Sequence, residues 1–206
     1  MHRPPPPPPP SVPRPPTRAP AYFSESQLPS CKTGFYTPTE ERTARRRTCR
    51  FLEEAGSERV LKLPRVTIST AMVFFHRFYA VHSFKDHDRF ELAVACLLLA
   101  AKTEESPKKL VTVIQECFRL KNLSSKNNKS KSDLIKEGIK VNDRGYLDGK
   151  CQEFVRLRER ILLLERVILH TIGFELSISH PYIHFGKVRT CVLHFILDWN
   201  GLDWWG

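Results

Sequence analysis

Residues 92–101, Leu-Ala-Val-Ala-Cys-Leu-Leu-Leu-Ala-Ala, are apolar without a break. All but Val94 are fair to good helix formers, and no Gly or Pro interrupts them. A helix that is apolar all round has no face to give to water, so protein or lipid must wrap it. A bilayer span needs about 20 such residues, twice this run. The run therefore predicts a buried central helix in an all-α domain, with no membrane span. Polar residues begin at Lys102, where this hub must surface. Ser106-Pro107 then predicts a new helix, with Ser as its N-cap and Pro at its first position.

Helical periodicity places further elements around the hub. Thr37-Pro38-Thr39-Glu40 is a capping box that opens a helix over about 38–55. Its inward stripe is Ala44, Thr48, Phe51, Leu52 and Ala55. A second helix over 67–81 turns Ile68, Ala71, Met72, Phe75, Phe78 and Tyr79 to one face. A fourth is expected from Pro107 to about Leu120, with Leu110, Val113, Ile114, Cys117 and Phe118 inward. A fifth over 151–172 carries Phe154, Leu157, Ile161, Leu164, Ile168 and Ile172, with Gly173 as C-cap. Residues 22–37 read as an extended lead-in packed on the domain.

Two stretches stand apart. Residues 1–21 are Pro-rich, with an unbroken run from Pro4 to Pro10. They read as a disordered tail of polyproline II character. Residues 123–149 are rich in Lys, Ser and Asn, and are expected to be a solvated loop insertion. The net charge is +11, which favours acidic partners without naming one. Arg45, Arg46, Arg47 and Arg50 crowd the first helix as a phosphate-binding patch, an import signal or simply a solvated face.

The sequence carries no motif of the common enzyme classes. Gly145 to Lys150 gives G-x-x-x-G-K followed by Cys, one residue short of a phosphate loop. No nucleophile elbow and no H-E-x-x-H occurs. The six Cys show no C-x-x-C pair, which suits a reducing compartment and no disulfide framework. His180, His184, Cys191 and His194 have zinc-like spacing, but Pro181 and the apolar residues between them argue against a site. Neither a metal nor a cofactor is expected, and the chain reads as a non-enzyme.

Three blocks carry a specific resemblance. Thr67–Phe84 contains His-Arg-Phe-Tyr, Leu98–Lys109 contains Lys-Thr-Glu-Glu, and Glu165–Pro181 contains Phe-Glu-Leu followed by His-Pro. They resemble the first cyclin box of the transcriptional cyclins T and K. The resemblance implies a single five-helix box over 38–180. It also implies truncation after that box, with residues 181–206 a divergent tail where a second box is expected.

The resemblance further implies a nuclear regulatory subunit that activates a transcriptional cyclin-dependent kinase. That kinase would phosphorylate the RNA polymerase II C-terminal domain and promote elongation. In the family, a Lys ending the third helix and a Glu in the fifth hydrogen-bond the kinase; these match Lys102 and Glu165. Leu98, Glu105 and Phe174 match neighbouring contact positions. The basic segments leave nucleic acid, or the polymerase C-terminal domain itself, as a further partner. The alternative is a nucleic-acid-binding module of the TFIIB kind, which shares the cyclin fold.

Overall fold

The computed structural model describes residues 24–123, 134, 139–142, 144–180 and 182. Five long helices build it: α1 (Pro38–Gly56), α2 (Arg65–Val81), α3 (Arg89–Thr103), α4 (Leu110–Leu123) and α5 (Gln152–Thr171). The Pro-rich run, most of the Lys-rich stretch and the tail beyond Tyr182 lie outside the described residues.

α3 is the hub that its composition demands. Asp88 caps it, its carboxylate accepting from the Phe90 and Glu91 N–H groups. All of Leu92–Ala101 is buried, and α3 touches each of the other four long helices. None of the described helices is long and apolar enough to cross a membrane.

α1 starts where the capping box places it. The Thr37 hydroxyl accepts from the Glu40 N–H, and the Glu40 carboxylate accepts from the Thr37 N–H. The stripe Ala44, Thr48, Phe51, Leu52 and Ala55 is buried as expected. α1 ends at Gly56 against α2: a Cβ there would stand 2.5 Å from Ile68 Cγ1, so only glycine permits the approach. α2 buries Phe74 in addition to most of its expected stripe, because α1, α3 and α5 all pack on it.

Three expectations are corrected. The lead-in is helical rather than extended, with a 3-10 turn at Glu25–Gln27 and one α turn at Pro29–Lys32. Gln27 closes the turn by accepting from the Ser24 N–H. Ser30 then anchors the segment, its buried hydroxyl accepting from the Phe84 N–H.

The fourth helix begins at Leu110, not Pro107. Ser106 is already engaged: its N–H donates to the Ala101 carbonyl and its hydroxyl bonds to Thr67. It closes α3 instead of capping α4.

The connection before α5 is not wholly solvated either. Val141 and Leu147 form an antiparallel bridge, Leu134 and Leu147 are buried, and the Leu147 carbonyl accepts from Gln115. Among the described residues of this stretch, Leu134 and Leu147 are buried and Ile139 and Val141 pack on the core.

Arg45 is likewise structural rather than part of a free basic face. Its guanidinium holds Glu41, a carboxylate buried in the core, and also the Tyr79 carbonyl. An isolated buried carboxylate would be very unfavourable; pairing and hydrogen bonds make this one tolerable. Cys31 donates to the same carboxylate. Burial first, and then Glu41, push its thiol up to about 11. The five described cysteines are all free.

Candidate functional site

Where the hub surfaces, it meets α5. The Lys102 ammonium lies 2.6 Å from Glu165 Oε1 and 2.9 Å from Oε2. The two partners differ sharply in environment, their side chains being 52% and 11% exposed. Leu164 and Ile168 on the same helix are buried, so the Glu165 carboxylate is held at the edge of the core. Lys102 ends a rigid helix, where its charge also complements the α3 dipole. An ammonium has three donors. Glu165 takes two, and the third remains for solvent or a partner.

Both helices that carry the pair end in tight αL closures. At α3, Glu105 has φ +51° and the Ser106 N–H reaches the Ala101 carbonyl. At α5, the Gly173 N–H bonds the His170 carbonyl and the Phe174 N–H bonds the Leu169 carbonyl. That is a Schellman motif with glycine where the sequence places it. Phe174 continues at φ +58° and is 60% exposed. Glu105 is exposed as well. Two bulky residues thus sit in a conformation that favours glycine, which costs about 1–2 kcal/mol each.

Leu98 differs from the other expected contact residues. It is 3% exposed and belongs to the core. It lies one turn before Lys102 and has almost no surface to offer a partner, so it supports the site from beneath.

A polar network that periodicity does not reveal fixes the end of α3. Thr70 is fully buried; its hydroxyl lies 2.7 Å from Glu104 Oε1 and 2.7 Å from His180 Nε2. A hydroxyl has one proton, which the carboxylate takes, so His180 is the donor to Thr70. His180 is therefore occupied with Thr70. His184, Cys191 and His194 lie outside the described residues. Among the described residues, no group of three or more His, Cys, Asp or Glu is placed to hold a metal.

Residues 19–177 match the family model described as "Cyclin, N-terminal domain". The chain belongs to the cyclin family. α3 and the four long helices around it are its cyclin box. Among similar proteins, Cyclin-T1 of Equus caballus is 32% identical over 174 residues, covering 83% of this cyclin and 21% of the relative. Cyclin-T of Drosophila melanogaster is 33% identical over 181 residues, covering 84% and 13%. Cyclin pch1 of Schizosaccharomyces pombe is 30% identical over 179 residues, covering 85% and 45%. This cyclin thus spans less than half the length of each of these relatives.

Proposed function

We propose that this chain is the activating subunit of a transcriptional cyclin-dependent kinase. Its kinase phosphorylates the RNA polymerase II C-terminal domain, in the nucleus, in support of elongation. The observation that carries the reading is the Lys102–Glu165 pair. A protein kinase is active only when its own Lys–Glu ion pair is assembled by correct placement of its αC helix. A partner that holds αC must be rigid and must present fixed polar groups. Lys102 meets both needs, since a helix buried over ten residues sets its backbone and Glu165 sets its head group. Glu105 and Phe174 extend the contact face, and Leu98 backs it. The chain itself supplies no chemistry and needs no cofactor. The likeness to proteins named cyclin-T supports the transcriptional assignment.

The domain boundaries follow the same reading: a tail over 1–21, a lead-in over 22–37, the box over 38–180 with an insertion at 123–149, and a segment outside the box over 181–206.

The test is co-purification with transcriptional kinases, followed by phosphorylation of polymerase C-terminal repeats. Wild type should bind and activate one of them. Lys102→Ala with Glu165→Ala should bind at least about a hundredfold more weakly while keeping a cooperative melting transition. Activation at wild-type level by the double variant removes the residue assignment. A wild type that activates no kinase but binds DNA with a steep salt dependence replaces the reading with a basic module.

A further inference from the structure

The basic character of α1 is not spread evenly. Arg42 is paired with Glu25 and Arg45 with Glu41. Arg46, Arg47 and Arg50 are exposed and have no acidic partner among the described residues. Arg47 also lines a cleft of about 290 Å³, together with Arg89 from the first turn of α3, Tyr36, Thr39 and Thr43.

Arg89 has no acidic partner among the described residues either. Its guanidinium lies 4.9 Å from the Phe90 ring centroid, which restrains the plane of the fork. The hydroxyls of Tyr36 and Thr39 make no hydrogen bond to another described residue. Glu40 stands at the rim, but its Oε2 accepts from both the Thr37 N–H and the Thr37 hydroxyl at 2.9 Å. One of its two oxygens is thus turned to the helix cap. The cleft therefore gathers two guanidinium forks from two helices, without acidic partners among the described residues, and two unused hydroxyls, beside one carboxylate, Glu40, whose Oε2 is held by Thr37.

We propose that this cleft binds the phosphate of a phosphorylated serine or threonine in a peptide. A phosphomonoester carries close to two charges at neutral pH and three strong acceptor oxygens. Two planar guanidinium groups bond such oxygens bidentately, and hydroxyls take the remaining positions. Loss of solvation is modest because the cleft is open to solvent.

The charge pattern favours a point-like anion over a nucleic-acid strand. A strand laid along α1 needs cations repeated along its length. Here the arginines stop at Arg50, and Glu53 and Glu54 follow on the exposed surface. Glu40 lies at the other end. A strand would meet Glu53 and Glu54 beyond the arginines as well as Glu40, whereas one phosphate between Arg47 and Arg89 meets only Glu40, whose Oε2 is already held by Thr37.

The experiment reads the guanidinium Nε–H signals of the full chain by NMR. Four probes are titrated: a short Gly/Ala peptide with a central phosphoserine, the same peptide without phosphate, inorganic phosphate, and single-stranded DNA of about twelve nucleotides. The phosphopeptide should shift the Arg47 and Arg89 signals saturably and more tightly than inorganic phosphate, and the plain peptide should not. Arg47→Gln and Arg89→Gln should each weaken phosphopeptide binding by about tenfold. Arg46→Gln with Arg50→Gln should leave it within about twofold. Arg47 is exposed, so its variant carries the test even if Arg89→Gln disturbs the start of α3.

Absence of a saturable shift overturns the proposal. Equal binding of inorganic phosphate overturns it in favour of an adventitious ion only. Tighter binding of DNA that depends on Arg46 and Arg50 overturns it in favour of a nucleic-acid surface.

Discussion

His180 Nε2 lies 2.7 Å from the Thr70 hydroxyl, tying the segment after α5 to the middle of α2 across 110 positions of sequence. The same hydroxyl holds Glu104. Thr70→Val keeps the shape but strands both groups. Leaving buried polar groups unsatisfied costs about 1–3 kcal/mol each. Thermal unfolding should fall by several degrees, and hydrogen exchange at Thr103 and Glu104 should accelerate. An unchanged melting curve would show that water replaces the hydroxyl without loss.

Leu98 separates a core role from a contact role. Leu98→Ala should lower stability by about 2–5 kcal/mol, as expected for a buried leucine. Kinase affinity, measured well below the melting temperature, should change little. A variant that melts like wild type yet binds poorly would return Leu98 to the contact face.

Lys102 and Glu165 should be coupled in a double-mutant cycle. Lys102→Ala leaves a mostly buried carboxylate without its cation, while Glu165→Ala leaves a half-exposed ammonium that water can solvate. The first single variant should therefore be the more destabilised. The coupling should be about 1 kcal/mol, because the exposed end of the pair is screened. Additive effects within error would mean that the pair does not persist in solution.

Glu105→Gly and Phe174→Gly should each stabilise the free domain. Both residues have positive φ, where glycine removes about 1–2 kcal/mol of backbone strain and returns part of it as unfolded-state entropy. The net gain should be under about 1 kcal/mol, read as a small rise in denaturant midpoint. Kinase binding should fall at the same time. Strain retained at exposed positions is expected where function needs the side chain.

His76 gives a pH dependence. Burial of its ring and then the Arg45 guanidinium hold its pKa down to about 4. The residue as a whole is exposed, so the firmer cause is geometric: Nδ1 stands 3.1 Å from Arg45 Nη1, a donor. The unfolded chain takes up this proton near pH 6.5, the folded chain only near 4. Stability is therefore complete above about pH 6.5 and declines as pH falls toward 4. After solvent screening the loss is on the order of 1 kcal/mol. Titration of the His76 ring by NMR checks the pKa, and His76→Gln should flatten this part of the stability profile.

The helices were legible because apolar burial repeats at 3.6 residues and caps are local chemistry. Leu92–Ala101, the Thr37 box and Gly173 need no tertiary knowledge. What escaped depends on pairings across long separations. Glu41 and Arg45 look like surface charges until the Tyr79 carbonyl on the next helix takes the Arg45 guanidinium, and Thr70 gives no sign of Glu104 or His180. Ser106-Pro107 is a sound local start signal, but the open carbonyls ending α3 claimed its N–H first. Leu134 and Leu147 were hidden by their lysine-rich surroundings. Lys102 and Glu165 could be singled out from the rest of the charges only through the family blocks, since each alone reads as an ordinary helix-end or helix-face charge.

α3 also sets a distance. Arg89 and Lys102 stand at its opposite ends, thirteen residues and about 20 Å apart along the axis. At physiological ionic strength the screening length is about 8 Å. A phosphate at one end and a kinase at the other would thus be nearly silent to each other electrostatically. Coupling between them would have to pass through the packing of the box, in which α3 is buried along Leu92–Ala101, rather than through a field.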